Sequence, residues 1–291
     1  MTRRRLDAEL VRRHLVTSRE QAQDAIVEGR VTVGGVVATK AATQVDGAAA
    51  IEVHMGEQPT YVSRGAYKLI GALDAFDVDV NGRRALDAGA STGGFTQVLL
   101  ERGAAQVIAV DVGYGQLAWP VRSQPAVTVL ERTNVRHLTA SDLPYAPDLV
   151  VADLSFISLT VVLPALVEVA SPGADLLLMV KPQFEVGKEN VGHGVVTDPK
   201  LRGQAVAKVA QAGVDRGLEI RGVKASPLPG PKGNVEFFLW MTKSGSDAVA
   251  RTGDDGVMGH GSAGSKPRGS APLIGEQLIR AIEAAVERGP Q

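Results

Sequence analysis

The stretch Arg84-Ala85-Leu86-Asp87-Ala88-Gly89-Ala90-Ser91-Thr92-Gly93-Gly94-Phe95-Thr96 runs from a strand pattern through a glycine loop into a helical pattern. Doubly wound sheets bind ligands at such a place, outside the carboxyl end of a strand. A dinucleotide loop reads G-x-G-x-x-G so that backbone amides can approach a pyrophosphate. This loop reads D-x-G-x-x-x-G-G and lacks the first glycine pair. Asp111 closes the next apolar run, 24 residues after Asp87. A carboxylate there accepts both hydroxyls of a ribose; the plainer reading is a turn aspartate before Gly113. Asn134, after the third run, either offers its amide to an adenine edge or forms a turn.

Four charged residues stand where elements end or begin. Lys68 lies on a helix ahead of the loop, Asp153 ends the fourth strand, Lys181 ends the fifth and Glu236 opens the last. A single charge at a strand end is usually a solvated terminus. Four of them after a ligand loop make a candidate catalytic set. No histidine pair has ligand spacing, so no metal is expected. With no cysteine, disulfides, thiolate zinc sites, iron–sulfur clusters and a cysteine nucleophile are excluded.

The elements that must hold these residues are legible as alternating patterns. Strands are expected at Arg84 to Asp87, Gln106 to Asp111, Thr128 to Leu130, Leu149 to Asp153, Leu176 to Val180 and Glu219 to Val223. Helical patterns such as Thr96 to Arg102 and Asp198 to Arg216 separate them, which means a parallel sheet covered on both faces. Val235 to Met241 closes the series as an antiparallel edge strand. Ser63 is expected to cap the helix that carries Lys68, Leu69, Leu73 and Phe76. Ser244 to Ser270, with seven glycines and five serines, reads as a flexible insertion. Ile274, Leu278, Ile282, Ala285 and Val286 define a final amphipathic helix.

The first sixty residues read as two helices and a hairpin. Leu6, Leu10, Val11 and Leu15 fall at helical spacing. Thr17 with Glu20, or Ser18 with Gln21, opens a second helix that Gly29 ends. Val31-Thr32-Val33, Gly34-Gly35 and Val36-Val37 form a hairpin, and Ile51 to Val53 a further strand. Residues 1–30 carry seven arginines against Asp7, Glu9, Glu20, Asp24 and Glu28, a net of only +2. The domains expected are 1–59, a linker at 60–66, and 67–291 with its insertion at 244–270 and terminal helix at 273–288.

Composition excludes several classes. Of 291 residues 44% are hydrophobic and 22% charged, ordinary globular values, so a wholly disordered or fibrous chain is ruled out. The 31 basic and 32 acidic side chains leave a net charge of −1, so any nucleic-acid site must be a local patch. Aromatics at 4% argue against a broad stacking platform. Asp7 and Glu9 interrupt the place of a signal peptide's apolar stretch, and the longest apolar run contains Pro164. A cytoplasmic protein without membrane partners is expected.

Three sets of residues resemble known families. Arg5-Leu6-Asp7, Ser18-Arg19 with Ala22, and Ile26 with Gly29-Arg30-Val31-Thr32-Val33-Gly34-Gly35 resemble the RNA-binding module of ribosomal small-subunit protein S-four, over residues 4–54. The resemblance implies that Arg3, Arg4, Arg12, Arg13, Arg19 and Arg30 lie along phosphates; Arg64, outside that module, is expected as a further RNA contact. A solvated arginine face is the plainer reading. The glycine loop resembles the S-adenosylmethionine loop of Rossmann-like methyltransferases. That implies cofactor contacts from Asp87, Gly89, Ser91, Thr92, Gly93, Gly94, Phe95, Asp111, Asn134 and Asp153, the cofactor lying over Gly89 and Gly93 where a side chain would collide with it.

Ser63-Arg64-Gly65-Ala66-Tyr67-Lys68-Leu69, Asp153-Leu154-Ser155, Lys181-Pro182-Gln183-Phe184-Glu185 and Gly233-Asn234-Val235-Glu236 resemble the FtsJ/RrmJ ribose methyltransferases. With the amino-terminal module, nearly the whole chain is similar to the TlyA family of rRNA (cytidine-2′-O)-methyltransferases, some of which are called haemolysins. The fold implied is α/β: a Rossmann-like, doubly wound, mostly parallel seven-stranded sheet after a small α+β RNA-binding domain. The family's catalytic tetrad falls on Lys68, Asp153, Lys181 and Glu236. The activity implied is S-adenosylmethionine-dependent 2′-O-methylation of ribosomal RNA, in the small subunit, the large subunit or both. A ribose hydroxyl must lose its proton as it attacks the methyl group. Lys181 either takes that proton or stabilises the developing alkoxide as a charge; Asp153 would orient Lys181, and Glu236 would hold Lys68 or the ribose. Two other functions compete, a membrane-active haemolysin and an RNA-binding assembly factor with a vestigial cofactor site.

Overall fold

Leu6 and Leu10, one helical turn apart and fully buried, fix the first element. They lie on α1 (Leu6–Arg12) and pack with Ala22, Ala25 and Ile26 of α2 (Arg19–Val27). The computed structural model describes residues 3–27, 30–38, 40–53, 61–245 and 271–289. The expected helix stop at Gly29, the linker at 56–59 and nearly all of the 244–270 insertion lie outside the described residues. The chain divides into two units, Met1–Thr60 and Tyr61–Gln291.

In the first unit, His14 adopts a left-handed φ of 56° just past α1. Leu15, expected to continue the helix, is therefore turned out and 37% exposed, and Val16 takes its place in the core. Ser18 Oγ accepts the Gln21 N–H, while Gln21 Oε1 accepts the Thr17 N–H, so the Ser18–Gln21 alternative forms and draws in Thr17. β1 (Arg4–Arg5) pairs with β4 (Gln44–Val45). β2 (Val31–Val33) turns through Gly34 and Gly35, both at positive φ, into β3 (Val36–Val37), and β5 (Ile51–Val53) flanks β2. Positive φ at both turn residues is what a two-residue hairpin of this hand requires.

The second unit holds β6 (Arg84–Ala88), β7 (Gln106–Val110), β8 (Val127–Leu130), β9 (Leu149–Ala152), β10 (Asp175–Val180), β11 (Leu218–Ala225) and β12 (Phe237–Lys243). Its helices are α3 (Gly65–Phe76), α4 (Gly94–Glu101), α5 (Trp119–Arg122), α6 (Leu159–Val169), α7 (Pro182–Glu185), α8 (Pro199–Val214) and α9 (Glu276–Glu287). Gly65 and Ala66, expected in a linker, form the first turn of α3, and its N-cap is Arg64 rather than Ser63.

The seven strands form one sheet in the order β11-β12-β10-β9-β6-β7-β8. The run from β10 to β8 is parallel, and β12 is antiparallel to both neighbours. The last strand is thus antiparallel as expected, but it is not the edge: β11 is. The physical reason is in its composition. Phe237, Leu239 and Met241 pack on one face with α6 and α8, and Phe238 and Trp240 on the other with α3 and α4. A strand apolar on both faces belongs inside a covered sheet. Ile282 and Ala285 bury α9 against that first face, whereas Ile274 precedes the helix and is 72% exposed.

Candidate active site

From β6 the chain steps to β7 on one side, while β9 lies on the other, so β6 and β9 border the switch point of the sheet. The glycine loop opens there. Gly89 has φ 87°, and a Cβ on it would stand 2.7 Å from the Asp153 carbonyl oxygen. Gly93 has φ 100°, with Leu117 2.8 Å from the equivalent point, and at Gly94 the Ser63 hydroxyl fills that space. The glycines are thus demanded by the chain's own atoms.

Asp111 joins two loops, since its carboxylate accepts the Ser91 N–H at 2.8 Å and the Gly113 N–H at 2.7 Å. With Ala90, Ser91, Gly113, Leu117 and Glu131 it lines a small cleft. Thr92 accepts the Ala118 N–H through its carbonyl. Phe95 is 4% exposed and stacks on Phe238, so its side chain belongs to the core and only its backbone is left to the loop. Asn134 Oδ1 accepts the Arg136 N–H and caps a short 3₁₀ turn, the turn-forming alternative.

Asp87, below the loop, is fully buried; its Oδ2 accepts the Thr96 hydroxyl at 2.7 Å and its Oδ1 has no hydrogen-bond partner. Burial pushes this carboxyl up to about 7, with the Asp153 charge adding to the effect. Since the folded value lies above the unfolded one, the stabilisation is complete below about pH 4 and is lost as pH rises through 7. Between about pH 5 and pH 7, stability measured by urea unfolding should fall more steeply in the wild type than in Asp87→Asn. Parallel slopes would contradict the assignment.

The four charged residues form two ion pairs. Lys68 Nζ lies 2.6 Å from Glu236 Oε2, and Lys181 Nζ lies 2.6 Å from Asp153 Oδ1. Sheet register brings them to one place: Val180 pairs with Phe237 across β10 and β12, so Lys181 and Glu236 follow at the same end, and Asp153 leaves the neighbouring β9. The Lys68 and Lys181 side chains are each 7% exposed, and Glu236 is fully buried.

Three residues without an expected role support the set. Ser155 Oγ accepts from Lys181 Nζ at 2.9 Å. Gly230 leaves the space that the Glu236 carboxylate occupies. Asn234 donates to the Gly194 carbonyl and accepts the Val196 N–H, anchoring the segment before α8 beside β12. Ser155 and Asn234 stand inside the motifs quoted above, whose spacing was the available signal. Arg64 donates to the Pro229 carbonyl at 2.8 Å, tying the start of α3 to the loop that carries Gly230.

In the first unit the expected RNA-facing arginines separate into kinds. Arg4, Arg12 and Arg19 are paired to the carboxylates of Glu9 or Asp7 and remain about half exposed. Arg13 stands apart. It donates to Glu9 and to the carbonyls of Asp46, Gly47 and Ala49, so it is a structural tie between α1 and the turn before β5. Arg3 is exposed and Arg30 half-buried.

The FtsJ-like methyltransferase family matches residues 61–243, and the S4 domain matches residues 4–51. The chain belongs to the FtsJ-like methyltransferase family, with the α/β fold and the amino-terminal domain that its motifs implied. It is 58% identical over 252 residues to the 16S/23S rRNA (cytidine-2′-O)-methyltransferase TlyA of Mycobacterium tuberculosis, covering 86% of this chain and 94% of that protein. It is also 34% identical over 236 residues to Hemolysin A of Brachyspira hyodysenteriae, covering 80% and 98%. A solved structure of a Streptococcus thermophilus protein named as a hemolysin aligns with a TM-score of 0.71 at 32% identity, covering 99% of this chain and 97% of that one. Among the described residues no helix is long and apolar enough to cross a membrane, and no group of three potential ligands could hold a metal ion.

Proposed function

We propose that the chain transfers a methyl group from S-adenosylmethionine to the 2′-hydroxyl of a cytidine in ribosomal RNA, in the cytoplasm, with the first unit engaging the RNA. The observation that carries this reading is the pair of lysine–carboxylate contacts at the ends of β9, β10 and the start of β12, beside the Gly89 turn. The cofactor's residues fit. Asp87 Oδ1, buried without a partner, suits a donor group above it. Asp111 keeps lone pairs beyond its two amide bonds for ribose hydroxyls. When bound, the cofactor supplies an electrophilic methyl group.

The chain's own residues prepare the nucleophile. An ammonium has three donors. Lys181 turns toward Asp153 and Ser155, which leaves one N–H for the ribose oxygen and places its charge where an alkoxide develops. Glu236 Oε1, buried and unpartnered, is the acceptor for a ribose hydroxyl, while Oε2 holds Lys68. Phe156, 90% exposed with φ 64°, sets its ring beside Phe184 and offers a face to the nucleobase. The test is incubation with methyl-labelled S-adenosylmethionine and separated ribosomal subunits that lack the modification. Label on the RNA is expected, and its distribution names the subunit. Cofactor binding without label on either subunit would overturn the reading in favour of an assembly factor.

A further inference from the structure

By sequence, Asp7 and Glu9 only dilute an arginine-rich segment. In the fold they lie beneath it. Both carboxylates have 0% side-chain exposure, whereas Arg4, Arg5, Arg12 and Arg19, which surround them, keep 45–58%. Asp7 receives Arg5 through Nε at 3.1 Å and Nη2 at 2.9 Å, Arg19 at 3.0 Å and Gln23 at 3.4 Å, so it links the start of α1 to α2. Glu9 receives Arg12 through Nε at 2.8 Å and Nη2 at 2.6 Å and Arg13 at 2.8 Å, with Arg4 3.8 Å away. The Arg5 and Arg19 contacts hold the Asp7 carboxyl well below the usual carboxylate range, and those of Arg12 and Arg13 bring Glu9 down to about 2. A guanidinium has five N–H donors. The carboxylates take two from Arg5, two from Arg12 and one from Arg19, and the remaining N–H groups are left for other acceptors.

We propose that Asp7 and Glu9 are positioning residues for RNA: they hold Arg4, Arg5, Arg12 and Arg19 as a pre-ordered array whose outer N–H groups meet phosphates. This rests on the reading that the first unit engages RNA. Long side chains ordered before binding do not have to be ordered by it. Against that stands plain Coulomb repulsion, because each carboxylate repels a phosphate. The two effects predict opposite signs.

The test measures Kd for an unmodified large-subunit rRNA transcript as a function of salt, with the full chain. Glu9→Gln removes one negative charge, so repulsion alone predicts tighter binding. The array predicts binding weaker by about tenfold and a salt slope reduced by about one. Glu9→Asp keeps the charge and shortens the reach; the array predicts weaker binding here too, and this variant decides the matter should the glutamine variant fail to fold. Arg12→Ala reports on the RNA reading itself. If it weakens binding while both Glu9 variants bind as wild type or tighter, the array is overturned and the RNA reading survives. If wild type and Arg12→Ala show the same weak, salt-insensitive binding, the RNA reading falls and the array with it.

Discussion

Replacing Lys181 with alanine is expected to lower kcat for methyl transfer by about 10²–10³-fold while cofactor binding persists. The side chain is only 7% exposed and lies between Asp153 and Ser155, so its removal takes away a fixed charge and a directed donor together. The glycine loop and Asp111 have no bond to Lys181, which is why cofactor affinity, measured by calorimetry, should be retained. Lys181→Arg separates the two possible roles. A guanidinium keeps the charge and donates, yet it cannot accept a proton. Partial recovery over the alanine variant is expected for a cationic clamp; an arginine variant as inactive as alanine would contradict the clamp and favour a base.

The largest stability effect is expected at Lys68. Glu236 is fully buried, and Lys68 is its ion-pair partner at 2.6 Å. Removing one member of such a pair leaves an uncompensated charge in the interior and costs about 3–5 kcal/mol, whereas replacing both members is often close to neutral. Lys68→Met should therefore destabilise the second unit strongly, and Lys68→Met with Glu236→Gln should recover most of that loss in urea unfolding. Activity should not recover with it, because the double variant lacks both the ammonium and the carboxylate. Additive stability losses would show that the pair is not coupled as its geometry requires.

The glycine loop and the strands around it were legible because buried parallel strands read as short continuous apolar runs between helices. Leu149–Ala152 and Leu176–Val180 are such runs, and every residue in both is buried. The order of strands was less legible. Nothing local in Phe237–Lys243 states that β11 lies outside it, although its two apolar faces argue against an edge. The four charged residues could be found from motif spacing. Their pairing could not, because Lys68 meets Glu236 from 168 residues away in the chain, and Lys181 meets Asp153 only because β10 lies beside β9.

Glycine identity was readable at 89 and 93; the close approach of Asp153 and Leu117 to those positions was not, since it arises only in the folded sheet. Charge counting failed in the same way at Asp7 and Glu9. A sum treats opposite charges as cancelling, while the fold sets the carboxylates below and the guanidiniums around them. Arg13 shows the converse, a charge whose donors are directed largely at backbone carbonyls of the same unit, which no count of charges shows.

On the proposed function, the ion-paired residues at the ends of β9 and β10 and the start of β12 prepare a ribose hydroxyl for methylation. The most direct measurement is nucleoside mass spectrometry of ribosomal RNA treated with the protein and S-adenosylmethionine. 2′-O-methylcytidine is expected in the wild-type digest and its loss with Lys181→Ala. A methyl group on a base, or an unchanged yield from the alanine variant, would contradict it.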